Sequence, residues 1–147
     1  MKIAIGADHA GVSAKEEIKN VIRALGHQVV DLGTTSEVSV DYPDYAEKVA
    51  RAVVAGEADR GVLICGTGIG MSIAANKVAG IRAALVTDEK TAELSRAHND
   101  ANIFCAGART LPVLKIAEAL KVWLATPWEG GRHQRRIEKI GRMEKSG

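Results

Sequence analysis

The sequence predicts an α/β protein of three α/β/α layers, in which helices cover both faces of an open sheet of five parallel strands. Short apolar runs alternate with longer amphipathic runs along the 147-residue chain, as in the strand–helix repeats of a parallel sheet. The chain has only two Trp, two Tyr and one Phe. A core of Ala, Val, Ile and Leu is therefore expected, which suits strands buried on both faces. The length predicts a single domain over residues 1–147.

Each predicted strand is a short apolar run bounded by glycines or polar residues. The first begins almost at once, at Ile3, and the third ends at Cys65. Runs of this length are typical of buried strands rather than helices. The predicted strands cover residues 3–6, 28–32, 61–65, 82–86 and 103–106.

The predicted helices lie between these strands and carry recognisable start and stop residues. Gly26 and Gly56 follow the first two helices, where a left-handed residue commonly ends a helix. Asp88 is a good N-cap for the fourth, and Pro127 separates the fifth from the last. The predicted helices cover residues 13–25, 44–55, 69–78, 88–98, 112–124 and 129–144. Together these elements predict a Rossmann-like sheet with a C-terminal helix.

Composition excludes several classes of protein. No apolar run approaches the roughly 20 residues that span a bilayer. Because the N-terminus enters a strand pattern at once, no signal peptide is expected. Two cysteines form no disulfide framework, so a reducing cytoplasm is expected. The basic surplus lies in residues 129–147, which hold six basic and three acidic residues. A nucleic-acid-binding arm is usually more basic and less mixed in sign, so neither nucleic acid nor a membrane is an expected partner.

The segment around Cys65 is the most informative part of the chain. It predicts a buried strand, a loop with glycines at positions 66, 68 and 70, and the start of a helix. Closely approaching amides at such a helix start favour an oxyanion or a phosphate. Cys65 itself is either a reactive thiol beside these groups or a small buried core residue. Cys105 lies inside a predicted strand, which favours a core role.

The glycine loop matches a dinucleotide-binding fingerprint only loosely. Met71 occupies the place of the third glycine, and the loop follows the third strand rather than the first. A small oxyanion or phosphate is therefore favoured over NAD, and no cofactor is expected.

Other polar residues are predicted at the ends of the elements. Asp8 and His9 follow the first strand, where Asp8 either caps a turn or takes part in chemistry. His98 ends a helix, as a cap or as a titratable acid. Arg132 and Arg136 share one face of the last helix, which is either solvated or a phosphate clamp.

No metal site is expected from the sequence. The four histidines show no ligand spacing, and there is no Cys-x-x-Cys pair. These histidines are His9, His27, His98 and His133.

Five separated motifs together resemble the ribose-5-phosphate isomerase B family, in order and spacing, to about residue 140. The family includes galactose-6-phosphate and allose-6-phosphate isomerases. The motifs are Gly6-Ala-Asp-His-Ala-Gly11, Asp41-Tyr-Pro-Asp-Tyr-Ala46, Cys65-Gly-Thr-Gly-Ile-Gly70, Ser95-Arg-Ala-His-Asn-Asp-Ala-Asn102 and Glu129-Gly-Gly-Arg-His-Gln-Arg-Arg136.

The resemblance implies a catalytic role for four residues. Cys65 is implied to be the base, and His98 the acid that opens the sugar ring. Asp8 is implied to shuttle a proton between the enediol oxygens, and Thr67 to stabilise the enediolate together with the loop amides. The residues implied to bind substrate are His9, Tyr42, Gly66, Gly68, Ile69, Gly70, Asn99, Arg109, Arg132 and Arg136.

The family also has a branch that uses a glutamate instead of the cysteine. Ala74 and Ala75 stand where the glutamate would lie on the following helix, and Cys65 is present. The resemblance therefore places the chain in the cysteine branch.

The implied activity is the interconversion of ribose 5-phosphate and ribulose 5-phosphate in the pentose phosphate pathway, with hexose 6-phosphates as alternative substrates. A homodimer or a dimer of dimers with a shared site is expected, in which His98, Asn99 and Arg109 reach the partner's Cys65 cleft. Two other classes stay open. One is a non-catalytic phosphate- or nucleotide-binding module, and the other is a thiol redox protein, which lacks a resolving cysteine near Cys65.

Overall fold

The computed structural model describes residues 1–36 and 38–146. The strands are β1 (Lys2–Ala7), β2 (Gln28–Asp31), β3 (Arg60–Cys65), β4 (Ala83–Leu85) and β5 (Ile103–Gly107). The α-helices are α1 (Val12–Ala24), α2 (Tyr42–Val54), α3 (Ile69–Ala75), α4 (Glu89–Ala97), α5 (Val113–Ala125) and α6 (Arg132–Ser146). A single 3₁₀ turn, His9–Gly11, links β1 to α1.

The five strands form one parallel sheet in the order β2-β1-β3-β5-β4. The chain moves from β1 outward to β2 and then returns to the other side of β1 as β3. The order therefore reverses between β1 and β3, and ligands of such sheets bind beside the carboxyl ends of strands at this kind of switch point. The predicted three-layer α/β fold with five parallel strands is confirmed.

Alternating residues of each strand enter two separate core layers. Ile64 and Phe104 pack with Trp123 of α5 on one face of the sheet. Leu63 and Cys65 pack on the other face, beneath α2 and α3. The side chains in both layers are mainly aliphatic, as the low aromatic content requires. Cys65 thus belongs to the layer that α2 and α3 cover.

Every helix differs from its predicted range by at least one residue, and three of the larger differences have a visible local cause. α2 begins at Tyr42 because Pro43 fits the first helical turn, where a backbone N–H has no helical partner. α3 ends at Ala75, and the Asn76 side chain instead bonds both backbone groups of Ala83 in β4. α6 begins only at Arg132 because two preceding glycines take positive φ values of 66° and 55°.

No helix within residues 1–36 and 38–146 is long and apolar enough to cross a membrane.

Candidate active site

Cys65 is the last residue of β3 and is 5% exposed. The chain turns at once into the glycine loop, and the amide of Gly68 donates a hydrogen bond to Cys65 Sγ over 3.1 Å. This bond directs the positive end of a backbone dipole at the sulfur. The second cysteine, Cys105, is fully buried, and burial raises the pKa of its thiol. The two thiols therefore differ in surroundings: one has a loop amide as its donor, and the other lies in the core.

The loop conformation requires glycine at two positions. Gly68 has a φ of 80°, and a Cβ there would lie 2.8 Å from both the Ala106 backbone and the Leu85 side chain. Gly70 lies beneath the Tyr42 ring, which a Cβ would overlap. α3 has only seven residues. The backbone amides of the loop, rather than the dipole of a long helix, thus supply the positive end of a dipole beside Cys65.

Thr67 and Arg109 complete the loop on its outer side. The Thr67 hydroxyl accepts a hydrogen bond from the Ile69 amide at 3.2 Å, and the Thr67 side chain is exposed. The Arg109 amide bonds the Gly66 carbonyl at 2.9 Å. The Arg109 side chain lies across Gly66, with a guanidinium nitrogen 3.5 Å from where a Cβ would stand. A cation therefore lies directly beside the loop amides.

Asp8 and His9 lie at the neighbouring strand end. The Asp8 amide bonds the Ile64 carbonyl at 3.2 Å, which places Asp8 next to the end of β3. Its carboxylate is buried and accepts the Ala10 amide at 2.9 Å, so it caps the short turn. His9 Nδ1 accepts the Val40 amide at 3.2 Å. Nδ1 is then the unprotonated nitrogen, and Nε2 of a neutral His9 carries the proton.

The remaining predicted residues lie at the opposite edge of the sheet. α4 runs from the carboxyl edge, at its cap Asp88, to the amino edge, where His98 is its C-cap. Gly61 pairs with Ile103 at that edge, and Cys65 pairs with Gly107 at the other. Four residues of strand, about 13 Å, separate these two residue pairs. His98 and Asn99 precede Ile103, so one chain does not bring them to its own Cys65.

The structure thus divides the predicted site into two groups. Beside Cys65 lie Asp8, His9, Tyr42, Gly66, Thr67, Gly68, Ile69, Gly70 and Arg109. At the amino edge lie His98 and Asn99, together with Arg132 and Arg136 on the nearby α6. Arg109 is a correction, because it was expected to reach a partner's cleft with His98 but lies on its own chain's glycine loop. Its backbone bond to Gly66 holds it there.

A comparison with known protein families finds a match over nearly the whole chain. The model of a family described as Ribose/Galactose Isomerase matches residues 3–140. The chain belongs to the ribose/galactose isomerase family.

Individual members of the family are similar to the chain over nearly its whole length. Ribose-5-phosphate isomerase B of Escherichia coli is 48% identical, over 97% of this chain and 96% of that protein. A structure of ribose-5-phosphate isomerase B from Clostridium thermocellum has a TM-score of 0.98 at 51% identity and covers 99% of each chain. The Mycoplasma genitalium enzyme, solved with bound ribulose-5-phosphate, has a TM-score of 0.94 at 44% identity, covering 99% of this chain and 97% of that one.

One residue at the amino edge was not predicted to be part of a site. His133 of α6 stacks on His98, with ring centroids 4.3 Å apart and planes 16° from parallel. Its Nε2 lies 3.5 Å from a Glu129 carboxylate oxygen. Burial, followed by the nearby charges of His98 and Arg132, lowers the pKa of His133. The only sequence signal was the four-residue spacing of Glu129 and His133, because His98 is distant along the chain.

A groove among the described residues lies away from Cys65. It has a volume of about 790 Å³ and lies between α6 and the amino end of β4. Asn99 and Arg82 line it, and Ile140 and Met143 of α6 contribute apolar surface. Ile140 is 43% exposed and Met143 68%. The amino-edge residues thus adjoin an open, partly apolar surface.

Proposed function

We propose that this chain interconverts ribose 5-phosphate and ribulose 5-phosphate through an enediolate, with Cys65 as the base. The observation that carries the proposal is the Cys65 sulfur at a strand end, bonded by the Gly68 amide over 3.1 Å, with the Asp8 carboxylate at the adjacent strand end. The names of the family members reported above support the reaction class and the pentose phosphate substrate.

The reaction needs one base and a prepared site for negative charge. The Cys65 thiolate takes the proton from C2 of the open-chain aldose, and the electron pair moves onto the C1 oxygen. The resulting enediolate is stabilised by the loop amides and the Thr67 hydroxyl, which act where charge develops. Asp8 takes the proton of the O2 hydroxyl and delivers one to O1. Cys65 then returns its proton to C1, which yields the ketose with no net gain or loss of atoms.

The phosphate is held at a distance from the reacting carbons. His9 presents a donor at Nε2, and Arg109 presents a guanidinium beside the loop. We propose that Arg132 and Arg136 add two further cations. Binding energy at the phosphate then orients C1 and C2 against the base.

In the proposed reaction, a second chain supplies the amino-edge residues. His98, the proposed acid for ring opening, lies about 13 Å of strand away from Cys65 in one chain. We propose a homodimer in which His98 and Asn99 of each chain enter the partner's cleft. The groove beside Asn99, with Ile140 and Met143 exposed on α6, supplies apolar surface for that contact.

Substrate assays test the proposed reaction. The purified protein is given ribose 5-phosphate, allose 6-phosphate and galactose 6-phosphate, and ketose formation is followed. We expect the highest kcat/KM with ribose 5-phosphate. A higher value with either hexose phosphate would change the substrate assignment, and no turnover of any of the three would refute an isomerase.

A further inference from the structure

Three side chains with metal-binding atoms meet at the amino edge of the sheet. One ligand atom from each of His98, Glu129 and His133 lies within 4.8 Å of the other two. They come from the end of α4, the loop before α6 and the first turn of α6. The segments are tied together by the backbone, because the Glu129 amide bonds the Ala97 carbonyl at 3.0 Å. The convergence is thus part of the fold rather than a chance overlap of mobile side chains.

The ligand set is one that Zn²⁺ commonly uses. Two imidazoles and one carboxylate, with water in the fourth position, form a frequent three-ligand zinc site. Bonds of about 2.0–2.1 Å in a tetrahedron require ligand atoms about 3.3–3.5 Å apart. The His133–Glu129 separation of 3.5 Å already meets this distance. His98 and His133 stack nearly parallel, so ion binding requires one imidazole to rotate until a nitrogen of each ring faces the ion. The ligand atoms, all within 4.8 Å of one another, must also close by about 1 Å, and the 60% exposed Glu129 side chain can follow that movement.

The surrounding charge limits the affinity. Arg132 and Arg136 lie close enough to act electrostatically on His133, and both repel a cation. Glu129 is the anionic ligand that offsets them. A reversible site of moderate affinity is expected, rather than a permanently filled structural site.

We propose that His98, Glu129 and His133 bind a divalent transition-metal ion of the Zn²⁺ type, and that its binding inhibits the isomerase. The bound ion holds the His98 imidazole on its own chain, away from the partner's cleft. It also occupies a nitrogen lone pair that proton transfer requires, so His98 no longer takes part in the reaction. The inhibition rests on the proposed function, whereas the binding site itself does not.

The binding test uses the full-length protein with Cys65→Ala, so that the thiol contributes no ligand. Zn²⁺ is titrated by calorimetry, and the imidazole resonances are followed by NMR. We expect one ion per chain, with the resonances of His98 and His133 shifting and those of His9 and His27 unchanged. Glu129→Gln and His133→Gln should each weaken binding at least about tenfold. Glu138→Gln, which alters an exposed glutamate within α6, should not weaken binding.

Two results would overturn the site: no binding up to millimolar Zn²⁺, or binding that leaves the His98 and His133 resonances unmoved. Inhibition is tested separately with Cys65 intact. Glu129→Gln should need at least about tenfold more Zn²⁺ for half-inhibition than the wild type and Glu138→Gln. If Zn²⁺ inhibits the wild type and both variants equally, the inhibition arises at another site and the proposed inhibitory role is refuted. Failure of the isomerase assay alone leaves the calorimetric and NMR tests unaffected.

Discussion

The amide of Gly68 donates a hydrogen bond to the Sγ of Cys65 over 3.1 Å. The two residues are three apart along the chain, and Gly68 has a positive φ of 80°. The loop therefore holds the sulfur and directs a dipole at it in a single turn. This arrangement is the basis of the first two predictions.

Replacing Cys65 by alanine should abolish isomerisation and leave phosphate binding in place, because the thiolate acts on a carbon-bound proton. A loss of at least about 10²–10⁴-fold in kcat is expected for removal of a general base. Steady-state rates measure the loss, and the binding of inorganic phosphate by calorimetry checks the retained site. Cys105→Ala is the matched control, since that thiol lies in the core, and its rate should stay within a few-fold. Near-normal turnover by Cys65→Ala would refute the assignment of the base.

Gly68→Ala should disturb both the loop and the reaction. The left-handed backbone costs an alanine about 1–2 kcal/mol, and the contact with the Ala106 backbone adds about 1–3 kcal/mol. Gly26→Ala is the control, because Gly26 has a φ of 89° but no atom within 4 Å of a Cβ. Urea unfolding should show a similar loss of stability from the backbone in both variants, with a further loss only in Gly68→Ala. The kcat should fall in Gly68→Ala and stay unchanged in Gly26→Ala. Full activity of Gly68→Ala would show that the amide does not act in the reaction.

Alanine at Arg132 or Arg136 should raise KM more than it lowers kcat. A phosphate clamp acts in the ground state and the transition state alike, and each lost bond to a charged group costs about 1.5–3 kcal/mol. Initial rates over a range of ribose 5-phosphate concentrations give both constants. Arg135→Ala, on another face of α6, serves as the control. A fall in kcat at unchanged KM would instead assign these arginines to the chemical step.

Stability should fall in acid as Asp31 becomes protonated. Burial opposes ionisation, but hydrogen bonds from Lys19, the Gly33 amide and Lys15 outweigh it, so the pKa of Asp31 lies below its usual value of 3.8. A carboxylate whose pKa is lowered on folding stabilises the protein above its unfolded pKa, and the stabilisation is lost as pH falls through the folded pKa. Urea unfolding from pH 6 to pH 2 should therefore show a loss below about pH 4.

Asp31→Asn is the variant that tests this assignment. It should be less stable at pH 6, because it leaves the fully buried Lys15 without its carboxylate partner. It should also lose less stability between pH 6 and pH 2 than the wild type. If stability falls with pH in this variant as it does in the wild type, another carboxylate causes the loss of stability in acid.

The sequence allowed the fold class and the glycine loop to be predicted because both depend on local patterns. Apolar runs mark the strands, and Cys65 followed by alternating glycines marks a strand end. The helix boundaries that were wrong depend on local geometry that composition does not reveal. Pro43 fits within the first turn of α2, and Gly130 and Gly131 delay α6.

The spatial grouping of the site could not be predicted from the sequence. The position of β5 between β3 and β4 is a property of the whole sheet. It fixes Arg109 beside Gly66 and leaves His98 at the other edge. The stacking of His98 on His133 joins segments distant along the chain, and no spacing rule reports such a contact.

The most direct test of the shared site mixes two defective chains. Cys65→Ala and His98→Asn chains, carrying different tags, are co-expressed, and the heterodimer is verified by native mass spectrometry. Each parent should be inactive. A shared site predicts that the heterodimer has one cleft with both residues intact, so a statistical mixture of dimers regains about a quarter of wild-type activity. Pairing His98→Asn with a chain that carries both substitutions should restore nothing. Verified heterodimers of the two single variants that stay inactive would contradict the shared site.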